Sequence, residues 1–288
     1  MSLQNKTMQS AQTPATEFKD LSITVAGKRL SARVAGSGRP IVLFHSLLAD
    51  QSSFDPVAGM LAATHQVIVL NLPGFGASDF VGSSLETIAD HIAAGIKAMD
   101  LKHTPILLGN GYGGFIALQT AIRHPGIASR LVLADCGAAF SEPGRAAFRG
   151  MSAAAKDKGL GAIADVAMRR LFAPEFQQIN PQLIEERKQR FLAVDAQTFH
   201  GACDALASLD LRPQLKAVTV PVLVLVGEQD EATPPPMSQE LSAGLPQAKL
   251  VVLAGCAHVP QLQAPGMFME AIRHFMMKNS APDGRLAS

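Results

Sequence analysis

Cysteine is scarce: three residues in 288, Cys136, Cys203 and Cys256. An odd number without a CxxC pair gives neither a disulfide framework nor a zinc site, so free thiols in a reducing, cytoplasmic compartment are expected. Neither sign of charge prevails, because 25 Lys and Arg oppose 24 Asp and Glu for a formal net charge of +1. That balance gives no global field for nucleic acid or an anionic membrane surface, which leaves a small molecule as the expected partner. No run of about 18 apolar residues escapes charges or turn-formers, and the start MSLQNKTMQSAQTPATE lacks the apolar stretch of a signal peptide. Internal repeats and low-complexity stretches are also absent.

What is present is ordinary globular composition, 48% hydrophobic and 17% charged. A chain of this length can bury one sizeable core. The polar start, 1–17, and the tail, 280–288, read as disordered ends. From Phe18, FKDLSITVAG and KRLSARVAGS alternate apolar and polar residues around a Gly-Lys turn, as an antiparallel edge hairpin does. The runs IVLFH (41–45), VIVLN (67–71), PILLG (105–109) and RLVLAD (130–135) are instead continuously apolar, the mark of strands buried on both faces.

Amphipathic stretches near 52–63, 84–100 and 113–124 separate these runs. The alternation predicts a parallel sheet covered by helices on both sides. From about 138 to 211 the periodicity is helical only, which marks an insertion. Strand-like runs then resume at VPVLVLVG (220–227) and KLVVLAG (249–255), and a last helix spans about 265–278. The expected division is a core of 18–137 with 212–279 and a helical cap of 138–211.

Loops leaving the carboxyl ends of parallel strands build ligand sites, and here they carry unusual chemistry: HSLLADQSSF (45–54), NLPGFGASD (71–79), GNGYGG (109–114), GEQDEATPP (227–235) and GCAHVPQ (255–261). Strand, GNGYGG, then helix is the context of the G-x-S-x-G nucleophile elbow. Gly109 and Gly113 are what such a turn requires, since side chains there would collide with the neighbouring strand and helix. The residue lifted by the turn is Gly111, which lacks an atom that can attack.

With these motifs in this order the chain resembles the α/β-hydrolase superfamily over nearly all of 18–278. It is most similar to the enol-lactonase and small-esterase branch, through RRLFAPEF, LASLDLR and TPP. The resemblance implies a mostly parallel eight-stranded sheet flanked by helices, with a helical cap. It implies an acid at Asp230, a histidine at His258, and an oxyanion hole made by the backbone N–H groups of Leu47 and Tyr112. HSLLADQSSF resembles the family's His-Gly oxyanion segment, with Ser46 in place of glycine and Phe54 in place of tryptophan. Neither a cofactor nor a metal is implied.

His258 is the residue expected to do chemistry, because an imidazole can take a proton at neutral pH when a carboxylate orients it. Asp230 alone would be equally well explained as a turn or cap residue before Thr-Pro. Ser46 is read as a substrate-side residue that could hold a water or point away. Cys136 and Cys256 are read as small buried residues before reactive thiols. His45 is expected to pack beneath the oxyanion loop, EERKQR (185–190) to be a solvated helix face, and Arg169, Arg170, Arg187 and Arg190 are candidates to bind a carboxylate.

Three functions stay open. In the first, His258 and Asp230 activate a water in the space freed by the missing serine, and it attacks a small ester, lactone or activated carbonyl. In the second, the protein is a catalytically silent small-molecule binder. The third takes Gly109, Gly111 and Gly114 as a GxGxxG dinucleotide fingerprint with Asp135 about 20 residues on. That reading leaves LPGFGASD, Asp230 and His258 unexplained.

Overall fold

The computed structural model describes residues 16–277. The expected tails lie outside the described residues except for 16 and 17. The edge hairpin is β1 (Lys19–Val25) and β2 (Lys28–Ala35), antiparallel from Lys19↔Val34 to Val25↔Lys28. Its turn falls on Ala26 and Gly27, both at positive φ, whose twist suits a two-residue hairpin.

Six further strands complete one sheet: β3 (Arg39–Phe44), β4 (His65–Leu70), β5 (Ile106–Asn110), β6 (Arg130–Ala134), β7 (Val222–Gly227) and β8 (Ala248–Leu253). The order is β1-β2-β4-β3-β5-β6-β7-β8, with β2 antiparallel to β4 and every later pairing parallel. The eight-stranded, mostly parallel sheet expected from the sequence is the one observed.

The helices α1 (Asp55–Ala62), α2 (Leu85–Ala98) and α3 (Tyr112–Arg123) connect the strands up to β6. Between β6 and β7 come five helices, α4 (Glu142–Lys158), α5 (Ala164–Leu171), α6 (Pro174–Ile179), α7 (Pro181–Leu192) and α8 (Ala196–Ser208). The chain closes with α9 (Pro235–Gly244), the short α10 (Pro260–Gln263) and α11 (Pro265–Met277). Side-chain alternation along β3 shows why its run is continuously apolar. Ile41 and Leu43 pack with Val57, Leu61 and Phe268 of α1 and α11 on one face. Val42 and Phe44 belong to the opposite core, with Ile92 and Ile116 of α2 and α3 and with Phe172 and Phe191 from the inserted helices.

Parallel register then gathers the functional loops. Phe44 pairs with Gly109, Asn110 with Ala134, and Gly227 with Leu253. The residues just beyond β3, β5, β6, β7 and β8 therefore emerge along one edge.

Candidate active site

The elbow begins where β5 ends. Gly111 sits at φ 54° and ψ −121°, a left-handed setting that a side chain would strain and glycine adopts freely. Its N–H donates to Ala134 O at 2.9 Å, tying the turn to β6. On either side the chain runs against backbone. A Cβ on Gly109 would lie 2.6 Å from Gly114 Cα, and one on Gly113 would meet Phe44 O and come within 2.6 Å of His45 O. The flanking glycines are thus required by packing.

Above Gly111 lie two groups from distant parts of the chain. A Cβ built on Gly111 would be 2.5 Å from Ser46 Oγ and 2.6 Å from His258 Nε2. Ser46 Oγ and His258 Nε2 are themselves 3.4 Å apart. Both residues are buried, and with Gly111, Leu47 and Tyr112 they line a small pocket.

His258 is held by the loop after β7. Its Nδ1 donates to Asp230 Oδ2 at 2.9 Å, which leaves Nε2 as the acceptor. Thr233 Oγ1 also donates to Asp230 Oδ2, at 2.6 Å. The other carboxylate oxygen accepts from the N–H groups of Ala232 and Thr233 at 2.8 and 3.1 Å. Asp230 therefore closes its own turn and accepts from His258 at once. Burial works to raise its pKa, but His258 and the Thr233 bonds outweigh it and hold the carboxyl below its usual value.

Asn110 and Asp135 stand behind this pair. Asn110 Nδ2 donates to His258 O at 2.8 Å and to Asp135 Oδ2 at 3.2 Å. Asp135 Oδ1 accepts from Gly227 N at 2.8 Å. Burial first, then the nearby Asp230 charge, pushes the Asp135 carboxyl well above its usual range. Fully buried and bonded inward, Asp135 has no oxygen to offer a ribose, which removes the dinucleotide reading of GNGYGG. Sequence reasoning missed the parts of Asn110 and Thr233; their signals were a polar residue ending an apolar strand and a Thr three residues after the acid.

Ser46 is fixed from below by His45. His45 Nδ1 donates to Ser46 O at 2.9 Å, and its Nε2 accepts from Leu72 N at 3.2 Å. Burial pulls its pKa down, which suits this neutral ring with one donor and one acceptor. Phe75, from the LPGFGASD loop, packs edge-on against it with ring centroids 4.8 Å apart. Neither Leu47 N nor Tyr112 N bonds to a backbone carbonyl among the described residues. For Tyr112, the first residue of α3, that is the geometry of a helix start.

Cys136 and Cys256 are both buried. Burial raises both thiols, Cys136 strongly and Cys256 to about 11. Among the described residues no group of three or more His, Cys, Asp or Glu is placed to hold a metal ion, and no helix is long and apolar enough to cross a membrane.

The inserted helices supply the opposite wall, through Phe148, Met151, Arg170 and Leu206. The space between these walls is about 40 Å³. Phe140, Phe148, Arg170 and Ala232 also line a groove of about 570 Å³, so these four stand between the two spaces. Arg170 is half-buried there. Two other arginines correct the expectation for EERKQR. Arg187 is buried, donates to Ser52 Oγ at 2.9 Å and lies 3.9 Å from Asp50, while Arg190 pairs with Asp50 at 3.1 Å. The carboxylate these two bind is the protein's own, on the loop that carries Ser46.

An elbow followed along the chain by an acid and then a histidine is the order of the α/β hydrolases. The chain belongs to the alpha/beta hydrolase family, whose model matches residues 41–271. It is similar to 3-oxoadipate enol-lactonase 2 of Acinetobacter baylyi, 26% identical over 276 residues, covering 92% of this chain and 99% of that protein. It also resembles a pimeloyl-[acyl-carrier protein] methyl ester esterase of Neisseria meningitidis, 30% identical over 248 residues, covering 83% and 93% of the two chains. Among solved structures, a thermophilic esterase from Thermogutta terrifontis superposes with a TM-score of 0.82 at 26% identity, covering 90% of this chain and 98% of that one.

Proposed function

We propose that this protein hydrolyses a small ester, lactone or comparably activated carbonyl by general-base catalysis from Asp230 and His258, without a serine at the elbow. The observation that carries the reading is the commitment of His258 Nδ1 to Asp230 at 2.9 Å. It leaves Nε2 free to accept a proton beside Gly111, and Asp230 stabilises the imidazolium that results. The N–H groups of Leu47 and Tyr112 form the oxyanion hole, and as backbone donors they do not depend on the residue at 111. Hydrolysis ends with a water that gives its proton to His258 Nε2 as it attacks the carbonyl carbon. A space of about 40 Å³ holds water and little more. The inserted helices therefore act as a cap that yields when substrate enters past Phe140 and Phe148, and Arg170 suits a substrate with a negative group at that end. The names of the relatives, a lactonase and a methyl ester esterase, support the ester and lactone class.

The test is turnover of short aryl esters and lactones, each with and without a carboxylate, by the protein and its His258→Ala variant. The expected result is measurable hydrolysis that the variant loses by about 10³-fold or more. Equal rates for the two proteins refute the role of His258. Gly111 favours one competing reading, a silent binder, which predicts saturable ligand binding and no turnover by either protein.

A further inference from the structure

We infer that the nucleophile lost from the elbow has been replaced from the neighbouring loop: Ser46 attacks the carbonyl and carries the acyl group. This inference rests on the general-base role of His258 given above. The position of the hydroxyl carries it. Ser46 Oγ lies 2.5 Å from the point where a Cβ at 111 would stand, and it shares that point with His258 Nε2. The space vacated by an elbow side chain is thus filled by a hydroxyl of the same chemical kind, and a water cannot occupy the same spot. Ser46 Oγ, His258 and Asp230 form a continuous relay, 3.4 Å from Oγ to Nε2 and 2.9 Å from Nδ1 to Asp230. The first of these distances is long for a hydrogen bond, as such contacts often are before substrate tightens them.

The surroundings fit a working nucleophile. Ser46 is 2% exposed, it lines the pocket, and its carbonyl is pinned by His45 at 2.9 Å. Leu47 N–H follows it directly, as an oxyanion donor follows an elbow nucleophile. The cap's arginines hold Asp50 and Ser52 of the same loop, so Ser46 sits on a segment anchored at both ends.

The steps balance as an ordinary acyl transfer. As Oγ bonds the carbonyl carbon, its proton passes to His258 Nε2 and the carbonyl oxygen takes the negative charge. Collapse breaks the ester C–O bond, and the leaving oxygen takes the proton back from Nε2. Water then attacks the acyl carbon, its proton again going to Nε2, and the acid departs as Ser46 Oγ recovers its proton.

The experiment treats the full-length protein with an alkyl fluorophosphonate carrying a p-nitrophenyl group and locates the adduct by peptide mass spectrometry, beside steady-state hydrolysis of p-nitrophenyl acetate. The expected adduct lies on Ser46, is absent in Ser46→Ala and forms far more slowly in His258→Ala. Ser46→Ala is expected to lose on the order of 100-fold or more in kcat. Ser46→Cys, which keeps a nucleophile at the same place, should form a thioester-linked acyl group visible in the intact mass. An unlabelled protein, an adduct elsewhere, or a Ser46→Ala variant that folds by circular dichroism and retains the parent rate would each overturn the inference. If that retained rate still falls with His258→Ala, water attacks directly and the general-base reading survives. If it does not fall, that reading fails as well.

Discussion

The two walls of the pocket are built on different principles. The floor, beneath Gly111, is made of loops whose shape is dictated by backbone: glycines pressed on carbonyls, an aspartate closing its own turn, a histidine wedged between Ser46 O and Leu72 N. The roof consists of helix side chains, Phe148, Met151 and Leu206, resting on apolar contacts, with Arg170 beside them. A backbone-dictated floor fixes the groups around Gly111 and tolerates almost no change. A side-chain roof can be resized without disturbing them, so under the proposed hydrolysis the floor would hold the chemistry and the roof the choice of substrate.

One substitution made in both walls should expose the difference most strongly. Gly113→Ala drives a Cβ into Phe44 O and His45 O, backbone atoms that cannot yield without moving β3. A loss of about 3–5 kcal/mol is expected by urea unfolding, if the variant folds at all. Gly150→Ala, in α4 of the roof, meets nothing within 4 Å. It should stabilise by about 0.5–1 kcal/mol, since alanine loses less freedom in a helix. Equal effects at the two positions would dissolve the distinction.

Among the polar links between the inserted helices and the core loops, the clasp at Asp50 gives the next effect in size. Arg187 is buried against Ser52 and Asp50, and Arg187→Ala leaves that half-buried carboxylate to Arg190 alone. A cost of about 1–3 kcal/mol follows. Lys188→Ala, one residue on, breaks only an exposed pair with Asp165 and should cost less than about 1 kcal/mol. Matching unfolding midpoints for these neighbours would show that the clasp does not join roof to floor.

The sequence announced the floor far better than the roof, and for the same reason. Each floor element is a short loop at the end of an apolar run, so IVLFH, PILLG and VPVLVLVG mark Ser46, Gly111 and Asp230 as residues just beyond strand ends. Proximity across 212 residues is another matter: that Ser46 Oγ stands beside His258 Nε2 depends on sheet register and on a side-chain rotamer, neither of which leaves a local pattern. In the roof, EERKQR reads as solvated because it is charged or polar throughout, and four of its six residues are indeed exposed. Arg187 nonetheless falls three residues after Ile184 and four before Phe191, on the inward stripe of α7. Helical phase outweighed residue type there.

Within the floor itself, two neighbouring carboxyls should answer pH in opposite senses, the smallest of the expected effects. Asp135 is raised well above the usual range, chiefly by burial. The folded chain keeps a proton there that the unfolded chain has released, so this residue contributes less stability as pH rises from about 4 toward 7. Asp135→Asn does not titrate, and the difference in unfolding free energy should shift in favour of the variant across that interval. Asp230 is held below its usual value despite its burial, by His258 and Thr233. Its contribution is present above the ordinary carboxylate range and is lost as pH falls through it, so Asp230→Asn should cost more at pH 7 than at pH 4. Urea unfolding of the protein and both variants at the two pH values reads each sign separately. Parallel shifts for the two variants would mean that Asp135 and Asp230 share their charge instead of dividing it, and that His258 faces a pair in place of a single ionised acid.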